Sequence, residues 1–494
     1  MYDIILFTAT AGPRLNIKPY GAYKCAHELR RAGYSVLVVN HFHQFNLDEI
    51  KQVLDRTVGA NTLFVGISNT FLIAEDNLSN RQLTNLICPQ GAEFQQEFVN
   101  YIKQLNTDCK IVVGGANTTY NFNNPQVDYA VIGYGDLSIV NLANHLKHNE
   151  PLRKSRRSVY GTTIVDDPVA EGFDFMNSTM QWTADDIVVP GEVLPLEIAR
   201  GCVFSCKFCN YILNGKKNHD YIKQYDIIRD ELEYNYKTYG ITTYTILDDT
   251  FNDSEVKLDR MLEVVKSLSF KPRFWCYTRL DLLSKHPHTI QKMMDIGVCA
   301  MYFGIETFNK KTGTIIGKGY SPEEQIKTIN LIKDTYQSDI SLFGSFIIGL
   351  PEEKPTSIVK SFNRILKQEI KLDTWAFKPL NIYKKNNYNW DSAFGVDLTK
   401  YGYEELPADD SSASTVKWKN KYFTSDTARE LGEQFQAQNS NRKIGGQYIF
   451  EYMNLGFKFE ELNDKSIKEL GINTFNNKYN EFITKYKQAL FKHI

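Results

Sequence analysis

The chain has 494 residues, of which 42% are hydrophobic and 23% are charged, and its formal net charge is -1. This balance is typical of a soluble globular protein, and it supplies no general basic field that would attract nucleic acid. No stretch approaches the roughly 20 apolar residues of a membrane span. Eight cysteines in a chain of this length do not form a disulfide framework, so we expect a reducing, cytoplasmic environment.

Residues 1–150 alternate between apolar strands and amphipathic helices. Short runs rich in Ile, Val and Leu predict strands over 4–7, 35–39, 63–67, 110–113 and 129–132. Apolar residues at helical spacing predict helices over 22–29 and 94–105. Continuous apolar strands between helices indicate a parallel sheet that is covered on both faces. We therefore predict a Rossmann-like, doubly wound α/β domain over 1–150, followed by a charged linker over 151–190.

Small residues stand at the predicted carboxyl ends of three of these strands. They are Ser68, then Gly114 and Gly115, and finally Gly133 and Gly135. Ligands of doubly wound sheets bind outside the carboxyl ends of the strands, and glycine lets a backbone come close to a ligand. These five residues are the candidate ligand site of the first domain. A polar stretch over 74–96 is expected to form a loop or short helix near the same face.

Residues 191–385 repeat a strand followed by a helix six times. The predicted strands cover 193–199, 243–248, 273–278, 299–305, 342–349 and 375–382. Polar residues or glycine end or directly follow four of them, namely Asp248 with Asp249, Arg279, Glu306 and Gly349. Carboxylates at such positions can bond hydroxyl or ammonium groups, and an arginine can pair with a carboxylate through two hydrogen bonds.

Three cysteines follow the first strand of this core with the spacing C-x3-C-x2-C, at Cys202, Cys206 and Cys209. A loop that leaves a strand can aim three thiolates at one point, and iron–sulfur clusters are held by cysteine sulfur. Three protein ligands on a four-iron cluster leave one iron open to a substrate or cofactor. A structural zinc site or three unrelated thiols are the alternatives. Zinc would need a fourth ligand, for which His219 is the only histidine nearby in sequence.

Residues 386–494 differ in pattern from the strand–helix repeats before them. Ala428, Leu431 and Phe435 recur at helical spacing, and aromatic residues cluster over 448–457. We therefore predict a small, mainly helical C-terminal region.

The phrase R-G-C-x3-C-x-F-C-N over 200–210 resembles the signature of the radical S-adenosylmethionine (SAM) superfamily. The resemblance implies a partial (β/α)6 TIM-like barrel in which the three cysteines hold a [4Fe–4S] cluster and the open iron binds SAM. It places Phe208 and Gly349 beside the adenine, Glu306 at the ribose, and Asp248 or Asp249 near the methionyl amine. Arg279 joins these SAM candidates as a partner for a carboxylate.

The first domain looks like the cobalamin-binding domain found upstream of many radical SAM enzymes. The phrases that match are Pro19-Tyr20-Gly21 and the segments 112–115 and 128–136. The resemblance implies that cobalamin lies at Ser68 and the four glycines of the strand ends. The chain has no D-x-H-x-x-G, the signature whose histidine ligates cobalt. A domain that only packs on the core or holds substrate is therefore the alternative.

By this resemblance the chain is an enzyme that starts radical chemistry. The reduced cluster cleaves SAM to methionine and a 5′-deoxyadenosyl radical, which takes a hydrogen atom from a small-molecule or peptide substrate that the sequence does not identify. Bound cobalamin would favour methyl transfer to carbon or phosphorus, and assistance in another rearrangement is the alternative. The alternatives are a cobalamin-independent radical SAM enzyme and, in another class, a non-catalytic iron–sulfur or zinc-binding scaffold protein. An electron donor such as flavodoxin or ferredoxin is the implied partner.

Overall fold

The structure is a computed structural model of the 494-residue chain. It describes residues 1–10, 16–71, 86–116, 118, 122, 124–158, 161–167, 169–211, 213, 219–319, 321–383, 392–407, 415–438, 443–445, 447–462 and 465–494. Residues 74–85 of the predicted polar loop therefore lie outside the described residues.

The first domain is built on a seven-stranded sheet within the described residues. Its strands are β1 (Ile4–Thr10), β2 (Val36–Val39), β3 (Phe64–Phe71), β4 (Lys110–Gly114), β5 (Tyr129–Gly133), β6 (Ser155–Arg157) and β7 (Thr163–Asp167), in the order β2-β1-β3-β4-β5-β7-β6. All pairs are parallel except β6 with β7. Helices α1 (Tyr20–Arg31), α2 (Leu47–Thr57), α3 (Ala92–Leu105) and α4 (Gly135–His148) cover the sheet. Every residue of β1 and β2 is buried, which confirms the predicted doubly wound α/β fold.

The stretch predicted as a linker contributes to this sheet. Strand β7 pairs in parallel with β5, and the short β6 pairs with β7 at the edge. The three residues of β6 are exposed, as is common for an edge strand rich in charge. The first sheet thus extends to Asp167, beyond residue 150 where the apolar runs end.

The second sheet forms the core of the chain. Its six parallel strands lie in sequence order and are β8 (Leu194–Leu196), β9 (Thr243–Ile246), β10 (Arg273–Thr278), β11 (Val298–Glu306), β12 (Ser341–Ile348) and β13 (Thr374–Pro379). Helices α5 (Tyr225–Tyr239), α6 (Glu255–Ser267), α7 (Leu280–Lys285), α8 (His288–Ile296), α9 (Lys310–Ile316), α10 (Pro322–Tyr336) and α11 (Pro355–Leu366) alternate with the strands. This confirms the predicted partial (β/α)6 barrel.

Helix α10 shows how the sequence sets these elements. Pro322 occupies its first turn, where the missing N–H costs no hydrogen bond. Ile326, Ile329 and Ile332 recur at helical spacing and are buried in the largest apolar cluster, which the strands of the barrel share.

The C-terminal region is mainly helical, as predicted. Its elements are α12 (Ala393–Val396), β14 (Glu404–Glu405), β15 (Trp418–Lys419), α13 (Ser425–Ala437), α14 (Gln447–Asn454), α15 (Phe459–Leu462), α16 (Ile467–Leu470) and α17 (Ile472–His493). Phe435 of α13 stacks on Phe362 of α11 with ring centroids 4.0 Å apart.

Helix α17 ties the C-terminal region to the first domain. Tyr486 and Leu490 belong to the apolar core of that domain, and the backbone N–H of Asn40 donates to the Tyr486 hydroxyl over 2.6 Å. Phe475 and Phe482, on the same helix, pack in a cluster with Trp275 of the barrel. None of the helices in the described ranges is long and apolar enough to cross a membrane.

Candidate active site

The loop that carries the three cysteines leaves the carboxyl end of β8. Backbone hydrogen bonds fold it back on the barrel: Cys202 N–H donates to Leu213 C=O over 3.1 Å, and Cys209 N–H donates to Cys206 C=O over 3.1 Å. Lys207 N–H donates to the carbonyl of Ile316, the last residue of α9, over 3.0 Å. Cys202 is buried, whereas Cys206 and Cys209 are partly exposed. One ligand is therefore anchored inside the protein, and two lie nearer the opening.

Two polar side chains contact the cysteine sulfurs. Cys202 Sγ lies 3.4 Å from the hydroxyl oxygen of Thr250, which follows β9. The guanidinium of Arg279, which follows β10, donates toward Cys206 Sγ over 3.5 Å. Burial raises the pKa of the Cys202 thiol, and the hydrogen bond with Thr250 opposes that rise. A hydroxyl and a cation thus lie beside the sulfurs, where they can stabilise negative charge.

Arg279 is held in place from two sides. Its guanidinium lies 3.7 Å from the ring centroid of Phe204, inside the cysteine loop. Asp281 accepts two hydrogen bonds from it, at 2.9 and 2.5 Å. Burial alone would raise the pKa of Asp281, but these contacts with Arg279 lower it. Because Asp281 already satisfies the carboxylate-binding face of Arg279, the assignment of this arginine to SAM stays a prediction.

The two adjacent aspartates after β9 have different environments. Asp248 is buried, accepts hydrogen bonds from the backbone N–H groups of Ile198 and Ala199, and lies 2.5 Å from the Lys257 ammonium. Its carboxylate therefore fixes the end of β8. Asp249 is partly exposed, and burial followed by repulsion from Asp248 raises its pKa to about 7. Of the two, Asp249 is the one available to a ligand.

Glu306 ends β11 at the carboxyl end of the barrel. Its backbone has φ +64°, a left-handed conformation that is uncommon for a residue with a side chain. The Lys318 ammonium lies 3.2 Å from Glu306 Oε1 and donates to the Gly304 carbonyl over 2.5 Å. A carboxylate and an ammonium are therefore paired over the inner face of the strand, at the position predicted for the SAM ribose.

Gly349, predicted beside the adenine, is enclosed by the C-terminal region. A Cβ at this position would lie 2.2 Å from Cη2 of Trp418, and the backbone has φ +97°. The Gly349 carbonyl accepts hydrogen bonds from Tyr403 and Asn420, both over 2.9 Å. The need for glycine here is explained by the indole of Trp418, and contact with adenine stays a prediction.

The C-terminal region also covers the cysteine loop. The backbone N–H of Phe394 in α12 donates to the carbonyl of Lys207 over 3.2 Å. Phe208, the predicted adenine neighbour, follows directly and packs, partly buried, against the core.

The candidate residues of the first domain gather at the carboxyl edge of its sheet. Ser68 of β3 pairs in register with Gly114 of β4. Gly115 has φ +106°, and a Cβ there would lie 2.6 Å from the Thr70 hydroxyl oxygen. A Cβ on Gly135 would lie 2.7 Å from Cys25 Sγ. Packing within the domain therefore accounts for two of these glycines. Gly114 and Gly133 end β4 and β5, whereas Ser68 lies within β3, which continues to Phe71.

This edge lies next to the cysteine loop. The hydroxyl of Tyr134, directly after β5, lies 3.5 Å from that of Tyr211, two residues after Cys209. Arg200, two residues before Cys202, bonds the carboxylate of Asp136 at the start of α4. The structure thus brings the two candidate sites together, although they lie far apart along the chain.

Sequence reasoning missed several residues of the site. They are Phe204, Thr250, Asp281, Arg200 and Asp136. Thr250 and Asp281 each stand two residues beyond a candidate, Asp248 and Arg279, so a wider window at each strand end would have included them. Arg200 and Asp136 lie within the phrases that carry the family resemblances, but no local signal predicts their pairing, because it joins two domains.

The donor set fits an iron–sulfur cluster. It consists of three cysteine thiols on one loop, with a guanidinium and a hydroxyl at two of the sulfurs. In the described part of the chain, no three His, Cys, Asp or Glu side chains come close enough to hold a single metal ion. A cluster does not require such convergence, because each thiolate binds a different iron.

Comparison with known proteins agrees with this geometry. The radical SAM superfamily model matches residues 196–365. A curated relative, the uncharacterized methyltransferase PH0819 of Pyrococcus horikoshii, is 23% identical over 372 residues, which are 71% of this chain and 74% of the relative. The anaerobic magnesium-protoporphyrin IX monomethyl ester cyclase of Synechocystis is 20% identical over 329 residues, which cover 62% of this chain and 63% of the cyclase.

Two solved structures have the same fold over nearly the whole chain. The radical SAM methyltransferase TsrM of Kitasatospora setae, solved with tryptophan substrate and a SAM analog, covers 99% of this chain and 98% of its own, with 13% identity and a TM-score of 0.65. The cobalamin-dependent radical SAM enzyme OxsB covers 99% of this chain and 72% of its own, with 15% identity and a TM-score of 0.58. The matched family implies a [4Fe–4S] cluster, SAM and a reductant. With its cysteine loop after the first strand of a six-stranded barrel, the chain contains a radical SAM domain over residues 196–365.

Proposed function

We propose that this chain is a cobalamin-dependent radical SAM methyltransferase. The observation that carries the proposal is the position of the carboxyl edge of the first sheet, which faces the cysteine loop through Tyr134 and Tyr211. A corrinoid held at that edge would lie beside SAM. The shared fold with TsrM and OxsB and the methyltransferase names among the relatives support the same function.

At the barrel, Cys202, Cys206 and Cys209 would hold the cluster. A bound [4Fe–4S] cluster supplies one electron to SAM, and bound cobalamin supplies a carrier for its methyl group. Thr250 and Arg279 would support the charge on the cluster sulfurs. Glu306 would accept from the ribose hydroxyls, Asp249 from the methionyl amine, and Phe208 and Gly349 would border the adenine.

At the first domain, Ser68, Gly114, Gly115, Gly133 and Gly135 would border the corrinoid. Ser68 is partly exposed at the sheet edge and can donate a hydrogen bond. Because the chain lacks D-x-H-x-x-G, that signature cannot supply a histidine to the cobalt. We therefore propose that the domain would hold the corrinoid without a histidine from that signature.

The first experiment tests the radical step. The full chain is reconstituted anaerobically with iron and sulfide, and SAM is added with dithionite or with reduced flavodoxin or ferredoxin, the donors we propose for a cytoplasmic enzyme. We expect bound iron and sulfide and reductant-dependent 5′-deoxyadenosine or S-adenosylhomocysteine. Cys206→Ala should abolish both, whereas Cys88→Ala, which removes a buried thiol of the first domain, should leave both unchanged. Equal loss in the two variants would refute the site assignment.

The second experiment tests cobalamin. The chain is purified after reconstitution with hydroxocobalamin, and retained corrinoid is measured from its visible spectrum. We expect about one corrinoid per chain, retained by Ser68→Ala and lost from Ser68→Trp, whose indole fills the sheet edge. A wild-type chain that forms 5′-deoxyadenosine but retains no corrinoid would establish the cobalamin-independent alternative instead.

A further inference from the structure

Three aromatic side chains form a continuous wall inside the barrel. In the strand register, Tyr277 of β10 pairs with Tyr302 of β11, and Tyr302 pairs with Phe343 of β12. The Tyr277 and Tyr302 ring centroids are 4.9 Å apart, and the Tyr302 and Phe343 rings stack 4.4 Å apart at 14°. We call these three residues the aromatic wall.

The wall faces the interior of the barrel and not the helices around it. Residues at the alternate positions, such as Phe346 and Phe377, stack on each other, and Phe377 packs on Phe435 of α13 outside the barrel. Tyr277 is nevertheless 36% exposed, although strands flank β10 on both sides. A residue in the middle of a parallel sheet reaches solvent in this way only if the barrel interior is open above it.

Small side chains keep that interior open toward the carboxyl end. The next row of the register consists of Gly304, Ser345 and Ala376. All three are partly exposed, and the Ser345 hydroxyl hydrogen-bonds the phenol of Tyr302. Two further rings close the amino end of this space. The Trp275 ring centroid lies 6.3 Å from that of Tyr302, and the Tyr448 ring centroid lies 6.3 Å from that of Phe343. The space is thus closed by aromatic side chains at its amino end and open toward the cysteine loop.

An exposed cation stands at the open end. Lys378 of β13 pairs in register with Ile347 and is exposed. It shares the inner face with Ala376, because the intervening Phe377 packs outward. Glu306, an acid on the same rim, is paired with Lys318. Across the part of the chain that the structure describes, no carboxylate forms an ion pair with Lys378.

We propose that the barrel interior binds an aromatic carboxylate, with its ring against the aromatic wall and its carboxylate at Lys378. This inference names the substrate class of the proposed radical SAM activity and so rests on the proposed function. Aromatic rings offer a flat face for stacking, and an unpaired ammonium at the mouth of an apolar space attracts an anion. SAM also carries a carboxylate, so the test must separate the two sources.

The test measures equilibrium binding to the full, cluster-reconstituted chain by calorimetry. The probes are 1-naphthoate, which has ring and carboxylate, 1-naphthylmethylammonium, which reverses the charge, and hexanoate, which lacks the ring. We expect 1-naphthoate to bind about tenfold more tightly than either of the others. Lys378→Met should weaken 1-naphthoate about tenfold, and Lys378→Arg less than threefold. Equal affinity for the three probes would overturn the proposal.

A surface-lysine variant and a measurement of SAM affinity serve as controls for the role of Lys378. Lys360→Met, on the outer surface of α11, removes a lysine outside the barrel and should leave 1-naphthoate binding unchanged. A Lys378→Met variant that loses SAM affinity but keeps 1-naphthoate affinity would assign the lysine to SAM and overturn the proposal. Formation of 5′-deoxyadenosine by the wild-type chain tests the proposed function separately, because it needs none of the probes.

Discussion

The guanidinium of Arg200 makes two hydrogen bonds to the carboxylate of Asp136, at 2.9 and 3.3 Å. Arg200 leads into the cysteine loop of the barrel, and Asp136 begins helix α4 of the first domain. Glu197 accepts two more hydrogen bonds from the same guanidinium, and the ring of Tyr134 lies 4.5 Å from it. A buried group of charged side chains therefore joins the two domains directly beside the proposed iron–sulfur site.

Asp136→Asn should destabilise the chain, because it removes one carboxylate from this buried cluster. Breaking a buried ion pair costs about 3–5 kcal/mol, and the remaining pair with Glu197 should limit the loss to roughly 2–3 kcal/mol. We expect an apparent Tm several degrees lower in a thermal scan. Glu324→Gln, which breaks an exposed pair with Lys327, should lower the Tm by less than about a degree. Equal Tm shifts in the two variants would show that the interdomain pair contributes no more to stability than an exposed pair.

Arg279→Met should shift the reduction potential of the reconstituted cluster. The guanidinium lies 3.5 Å from Cys206 Sγ, and net charge near a cluster helps set its potential. Loss of a positive charge disfavours the reduced state, so the potential should become more negative by roughly tens of millivolts. Redox titration followed by electron paramagnetic resonance measures it.

Arg260→Met is the matched control for that measurement, because Arg260 forms an exposed pair with Glu263 on α6. Its cluster should have the wild-type potential. Asp281→Asn keeps the cation but removes the carboxylate that orients it, and it should raise the potential slightly. A more negative potential in Asp281→Asn would contradict the charge argument.

The sheets and the cysteine loop could be predicted from the sequence because both depend on residues that are close together along the chain. Buried parallel strands appear as continuous apolar runs, as in Ile4–Thr10, and C-x3-C-x2-C is a spacing within eight residues. The sequence pattern did not predict strand β6, because its three residues, Ser-Arg-Arg, are exposed and polar. Its position depends on pairing with β7 and not on any preference of its own residues.

The roles of individual site residues depend on contacts between distant segments. Asp248 and Asp249 are adjacent acids in the sequence, yet only Asp248 meets the Lys257 ammonium and the amides at the end of β8. Gly349 lies against Trp418, a contact that its neighbours in sequence do not predict, and its contact with adenine stays a prediction. Such assignments require the register of six strands and the path of the C-terminal region, which no local pattern contains.

Glu353 should make the chain less stable as the pH rises. Its carboxyl is buried, with Thr307 donating to it over 2.5 Å, and burial raises its pKa to about 8. Between about pH 4.5 and 8 the folded chain thus holds a proton that the unfolded chain has lost. Its contribution to the free energy of unfolding falls by about 1.4 kcal/mol per pH unit in that window.

Glu353→Gln should therefore flatten the fall of the apparent Tm between pH 5 and 8. Its neighbour Glu352 has an exposed side chain and pairs with Lys311. Glu352→Gln should leave the slope of the wild-type protein unchanged. An identical slope in wild type and Glu353→Gln would show that this carboxyl does not titrate in the window.

Gly349→Ala should be far more damaging than alanine at another glycine with a similar backbone. Gly349 has φ +97° and Gly402 has φ +79°, but a Cβ at Gly402 meets nothing within 4 Å, whereas a Cβ at Gly349 lies 2.2 Å from the Trp418 ring. Backbone strain alone costs about 1 kcal/mol, which Gly402→Ala should show. Overlap with a buried indole adds about 1–3 kcal/mol, so Gly349→Ala should lower the apparent Tm by at least twice as much. Because Trp418→Leu removes the ring, it should make the further change Gly349→Ala cost no more than Gly402→Ala. If the cost of Gly349→Ala stayed the same without the indole, backbone strain and not Trp418 would explain the glycine.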